Sequence, residues 1–219
     1  MIGVPIVNTT AFSSHMRYSF IDHKDLDFSF TDNPLGTFTE RLAGLLLREL
    51  TSTLSDEDFM FDLHGSPGGT LTQPWVAYYA GGTSPSRRAA EATGITVVCI
   101  SATPEYKENI SEGTTLADEY MPTAFAKQML KRVKLGRLVI ESGSTVVLEP
   151  EVMVQYNGVM NVMKHLGMLE GSPTQPTEKR IYINDNRRVM ARNRGFWPPM
   201  VPPGSMVSKG EMLAVVADE

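Results

Sequence analysis

His64 and Glu141 are the side chains whose type and setting best suit chemistry. His64 lies at the end of DFMFDLHG (58–65), and Glu141 near the end of GRLVIESGS (136–144). Each follows an apolar run and precedes a stretch of glycine and serine. An imidazole in that setting can ligate a metal or move a proton. A carboxylate there is partly desolvated, which suits general-base work. Asp62 stands two positions before His64, on the same face of an extended segment, and can orient the ring as a supporting carboxylate. Plainer readings exist for both. A lone histidine at a strand end more often makes a structural hydrogen bond than a metal bond, and Glu141 fits equally well as a surface loop acid.

The elements around these residues define the scaffold. GVPIV (3–7) reads as a buried strand. GTFTERLAGLLLRELTSTL (36–54) reads as an amphipathic helix capped at Thr37 or Thr39, with Phe38, Leu42, Leu45, Leu46 and Leu50 at helical spacing. DFMFDLHG is a strand running into a glycine-rich loop, and SPSRRAAEATG (84–94) is a short helix stopped by Gly94. ITVVCISA (95–102) is a β-branched strand, residues 116–133 are mostly helical, and GRLVIESGS is another strand. Residues 150–169 form a long helix. Strand and helix in alternation specify an α/β fold: a mixed, mostly parallel sheet with helices on both faces. In such sheets the loops at the carboxyl ends of strands build the active site, and His64 and Glu141 both sit there. The polar, proline-rich EGSPTQPTEK (170–179) reads as a linker, and short β-segments follow it. The expected division is a catalytic α/β domain over 1–172 and a partial β-sandwich over 178–219.

Composition narrows the function class. A net charge of -5 offers no general attraction to nucleic acid or an anionic membrane. One cysteine, Cys99, excludes an internal disulfide and a multi-cysteine metal site, and its apolar run marks it as a core thiol. No run is apolar for long enough to span a bilayer, and MIGVPIVNTTAF lacks the pattern of a signal peptide. A cytoplasmic enzyme acting on a small molecule is the expectation, with homo-oligomerisation left open.

Five stretches in order carry a family resemblance. PIVNTTAFSSHMRYSFIDHKDLDFSFTDNPLGTFTERLA (5–43), DLHG, IESGS, the helix 150–169 and GFWPPMVPPGSMVSKGEMLAVVAD (195–218) resemble successive elements of the succinylglutamate desuccinylase/aspartoacylase family. The resemblance implies a zinc-carboxypeptidase-like fold and a zinc-dependent hydrolase that cleaves the amide bond of an N-acylated amino acid or related acyl-amine. It implies that His64 is a zinc ligand, Glu141 the catalytic base, and Arg17 the arginine that polarises the substrate carbonyl.

Two departures qualify that implication. The family's His-x-x-Glu zinc pair precedes the stretch matching GVPIV, and no residue precedes Met1 here. The remaining histidines, His15, His23 and His165, begin no His-x-x-Glu. The chain therefore reads as a fragment, incomplete at both ends and inactive alone. Secondly, the family's Asp-Leu-Asn-Arg appears here as Asp25-Leu26-Asp27-Phe28. Asp27 and Phe28, in the substrate-binding positions, repel or ignore a carboxylate, so a less acidic acyl-amine is expected. His23, Asp25 and Asp27 could hint at an improvised metal site, but a polar turn accounts for them equally. The alternative to an enzyme is a non-catalytic paralogue that keeps the fold for binding.

Overall fold

A computed structural model of the chain describes residues 1–31, 33–65, 72–79, 85–101, 125–143, 149–183, 193–196 and 198–217. The chain separates into two compact units. The first comprises Met1–Met60, Gly81–Pro85 and Asn109–Arg137; the second comprises Phe61–Ala80, Ser86–Glu108 and Leu138–Glu219. Among the described residues no helix is long and apolar enough to cross a membrane.

Local hydrogen bonding organises the start of the first unit. Helix α1 (Thr9–Ser13) begins at Asn8, whose Oδ1 accepts from the Ala11 amide at 3.1 Å. A 3-10 turn, Leu26–Phe28, is capped by Asp25, whose Oδ1 accepts from the Asp27 amide at 3.1 Å. Helix α2 (Phe38–Thr53) starts at Thr37, as its sequence suggests. The Thr37 amide donates to Glu40 Oε2 at 2.8 Å, which satisfies an N–H that the first turn leaves without a helical partner. Asp22 adds a cap from outside the helix, accepting from the Thr39 amide at 2.8 Å and its hydroxyl at 2.6 Å. Burial alone would raise the Asp22 carboxyl. The hydrogen bonds from the Thr39 hydroxyl and amide outweigh it and hold the group well below the usual carboxylate range.

Ala43 and Leu47 of α2 pack with Phe30 and with Met129, Val133 and Leu135 from helix α4 (Phe125–Arg132) and the chain after it. Phe30 and Phe125 place their ring centroids 4.7 Å apart. Of the expected stripe, Leu46 and Leu50 pack against this core while Phe38 and Leu45 are exposed, and Ala43, Gly44 and Leu47 supply the fully buried face. Small residues let the helix approach its neighbours on that side, so size as well as hydropathy selects the face. Residues 3–7 also differ from expectation. They form no strand, and Val4, Ile6 and Val7 are exposed. An apolar run becomes a strand only against a pairing partner, and among the described residues none pairs with it; Pro5 also lacks an amide donor.

The second unit is built on a five-stranded sheet in the order β1-β4-β2-β3-β5. These are Phe59–His64, Thr72–Tyr79, Val97–Ser101, Gly136–Gly143 and Ile181–Ile183 in chain order. Strand β2 runs parallel to β3, pairing Trp75 with Val97 through Tyr79 with Ser101. β3 runs parallel to β5, and β2 antiparallel to β4. The class is therefore mixed α/β, as the alternation of elements indicated. Strand β2 was not anticipated from TQPWVAYY, because proline argues against a central strand. The sheet accommodates Pro74 at a register shift between Thr72 and Trp75.

Val76, Val98, Leu138 and Ile140 are fully buried at the sheet's centre. Helix α5 (Glu149–His165) crosses Ile140 at Gly158, where a Cβ would lie 3.1 Å from Ile140 Cδ1. Helix α3 (Pro85–Ala92) ends before Gly94, whose φ of +80 suits glycine. Asn161 of α5 fastens the following linker: its Nδ2 donates to the Thr93 carbonyl at 3.0 Å, and its Oδ1 accepts from the Thr174 amide at 3.0 Å. After β5, antiparallel bridges join Phe196 to Ala217 and Pro199 to Ala214.

Candidate active site

Strand β1 carries Asp62 and His64 on one face by its two-residue period. His64 Nε2 lies 3.1 Å from Asp62 Oδ1. That contact orients the imidazole as the sequence suggested, and metal ligation by His64 would then fall to Nδ1. The His64 carbonyl accepts from Gln155 Nε2 of α5 at 2.6 Å.

Glu141 lies on β4, the strand beside β1, and is paired across β2 with Trp75. Ser142, the next residue, donates through Oγ to the Glu151 carbonyl at 2.9 Å in the first turn of α5. Ile140 and Ser142 thus meet α5, and strand alternation directs Glu141 to the opposite face. Cross-strand pairing places Trp75, Ala77 and Cys99 on the face of Glu141. Burial, with the charge of Glu141 second, pushes the Cys99 thiol up to about 11. Cys99 is nevertheless half-buried, not the fully buried core thiol that its apolar run indicated.

Both strand ends meet one helix. Glu151 and Gln155 are four residues apart on α5, and they receive the end of β4 and the end of β1 respectively. The residues singled out as ligand and base thus lie on adjacent strands, near ends that α5 holds together.

Arg17, Asp27 and Phe28 belong to the first unit. Arg17 Nε lies 2.6 Å from Asp25 Oδ2. Asp27 and Phe28 form the 3-10 turn that Asp25 caps, and both side chains are half-buried. His15 and His23 adopt left-handed backbone conformations, with φ of 53 and 54, and His165 ends α5. Among the described residues no three His, Cys, Asp or Glu side chains group as a metal site. In the turn holding His23, Asp25 and Asp27, the His23 amide donates to the Ser19 carbonyl and the Asp27 amide to Asp25 Oδ1. His64 with Asp62 beside it does not by itself make a complete zinc site.

Sequence reasoning passed over Gln155, Trp75 and the Arg17–Asp25 pair. Only Gln155 left a signal, a polar residue one turn beyond Glu151 on the helix that follows Glu141.

The chain superposes on succinylglutamate desuccinylase/aspartoacylase from Rhodobacter sphaeroides with a TM-score of 0.79 and 22% identity, over 98% of this chain and 62% of that one. The product-bound ectoine utilization protein EutE (DoeB) from Ruegeria pomeroyi also gives 0.79, at 23% identity over 99% and 62%. The fold is that of the succinylglutamate desuccinylase/aspartoacylase proteins. In sequence, the chain is 27% identical to N-alpha-acetyl-L-2,4-diaminobutyric acid deacetylase of Halomonas elongata, over all of this chain and 60% of that protein. No family model matches the chain. The chain spans about 60% of the length of these relatives.

Proposed function

We propose that the full-length protein is a deacylase that hydrolyses the amide bond of an N-acylated amino acid or related acyl-amine. The observation that carries this reading is the pairing of Asp62 with His64 on a strand adjacent to the one bearing Glu141, within a fold whose named relatives are deacylases. Glu141 takes a proton from the attacking water as the new C–O bond forms at the acyl carbon. It delivers that proton to the nitrogen as the C–N bond breaks, so the amine leaves neutral. The family resemblance assigns to Arg17 the stabilisation of charge on the acyl oxygen. Zinc is the metal this reading implies, with His64 as one ligand and the others supplied from outside the described residues. When bound, such a metal acidifies water and polarises a carbonyl.

Asp27 and Phe28 favour a substrate without a carboxylate at their position. The Halomonas relative is named for a diamino acid, and an acylated amine bearing a second amino group suits Asp27 better than a diacid does. The division into a catalytic domain over 1–172 and a partial β-sandwich over 178–219 belongs to the same proposal.

Zinc analysis and a panel of N-acyl amines, applied to the full-length protein and to this chain, test the reading. The full-length protein should hold about one zinc per chain and turn over acylated diamino compounds in preference to acylated diacids. This chain should bind zinc weakly and hydrolyse none of them. A full-length protein that binds zinc and hydrolyses nothing would support the non-catalytic alternative, with Asp27 and Phe28 the first positions to revert.

A further inference from the structure

We infer that Gln155 is a positioning residue for this site, tying the backbone of His64 to the helix that also holds the strand end beyond Glu141. The inference rests on the roles proposed above for His64 and Glu141. Its structural basis is a hydrogen bond between residues 91 apart in sequence, from Gln155 Nε2 to the His64 carbonyl at 2.6 Å. Gln155 stands one turn after Glu151, and neighbours at that spacing lie about 6 Å apart on a helix surface. Glu151 receives the Ser142 hydroxyl at 2.9 Å. The side chain of Glu151 also lies against Gly143, where a Cβ would come within 3.1 Å of its Oε2. Gly143 has φ +102, so glycine is required there for conformation as well as for space.

Two attachments then fix His64 independently. Asp62 orients the ring, and Gln155 holds the backbone carbonyl. The tether is neutral, its acceptor is a main-chain oxygen, and it works through donor geometry alone. One rigid helix turn thereby sets the distance between the end of β1 and the end of β4. A site that moves a proton between water, base and amine depends on such spacing, because small displacements of the reacting groups lower the rate steeply.

Three substitutions separate the tether from mere packing. Gln155→Glu keeps the shape and loses the donor, Gln155→Met keeps the length and loses polarity, and Gln155→Lys keeps an N–H donor. In this chain, two-bond proton–nitrogen spectra should resolve the rings of the four histidines. Gln155→Glu and Gln155→Met should broaden or split the His64 signals and leave those of His15, His23 and His165 in place; Gln155→Lys should retain the parent pattern. In the full-length protein the first two should lower kcat about tenfold with KM within about twofold, and Gln155→Lys should recover most of the loss. An unchanged His64 pattern in Gln155→Glu overturns the inference. So does a disturbance of all four histidines that Gln155→Lys shares, because that would mark general packing. His64→Ala and Glu141→Gln run beside them. Full turnover in both would refute the assignment of the site, while the spectra would still decide whether Gln155 holds His64.

Discussion

His64 and Glu141 ride on strands, and Arg17, Asp27 and Phe28 ride on turns. The strand residues inherit their direction from a ladder and their ends from a helix, through Gln155 and Ser142. The turn residues depend on short-range side-chain bonds: Asp25 with Arg17 and the Asp27 amide, and Asp22 with the start of α2. A ladder repeats the same constraint at every residue, whereas a capped turn relies on one or two carboxylates. The second unit should therefore tolerate change in any single polar contact better than the first, except at the reacting groups themselves.

The largest expected effect lies on the strands. Glu141→Gln in the full-length protein should cut kcat about 10²- to 10⁴-fold, the range for loss of a general base, and leave the melting temperature close to the parent's. Steady-state kinetics with the best acyl-amine, beside a thermal melt, check both halves. A variant with more than a tenth of the parent rate would place the base elsewhere and remove the functional side of the comparison.

Next comes the core beneath the turns. Leu47 is fully buried among Phe30, Met129, Val133 and Leu135. Leu47→Ala should cost about 2–5 kcal/mol in denaturant unfolding. A cost below about 1 kcal/mol would mean that α2 is held mainly by its caps, which would reverse the assumed order of core and cap.

The caps should matter less, and in a pH-dependent way. Asp22 and Glu40 both have carboxyl groups held below the usual range: burial is offset by the Thr39 bonds at Asp22, and the Lys24 bond leads at Glu40. The unfolded chain therefore takes up protons first as the pH falls. The stabilisation is complete above the ordinary carboxylate pKa of about 4 and is lost as the pH drops through the lower folded values. Asp22→Asn should cost about 1 kcal/mol at pH 7, as loss of a helix cap does, and should flatten the decline of stability below pH 4. An acid profile identical to the parent's would show that Asp22 does not cap α2 in solution.

The same contrast explains what could be read from the sequence. Strands β1, β3 and β4 and helices α2, α3 and α5 were legible because apolar periodicity and stop signals act locally. His64 and Glu141 were legible because they end such runs. Strand β2 was not, since Pro74 argues against a central strand and only the register shift beside β4 accommodates it. Residues 3–7 misled in the opposite sense, because a strand needs a partner that an apolar pattern cannot supply. Gln155 was hidden for a related reason: its acceptor is a main-chain carbonyl 91 residues away, and main-chain groups carry no sequence signature.

The smallest effect offers a direct check on the face assigned to Glu141. Register places Glu141 and Cys99 on the same side of the sheet with β2 between them. Burial is the main reason the thiol sits near 11, and the Glu141 charge adds to it. Replacing that charge should lower the thiol pKa slightly without exposing the sulfur. In this chain, Glu141→Gln should speed alkylation of Cys99 at pH 8.5 by about twofold to threefold, because the thiolate is the reacting species. The control is Glu151→Gln, whose site on α5 lies beyond the opposite face of β4. It should leave the rate unchanged. Equal acceleration by both substitutions would indicate general loosening, and no acceleration by Glu141→Gln would put its carboxylate on the other face, away from Trp75 and Cys99. That last result would also detach Glu141 from the orientation on which its proposed role as base depends.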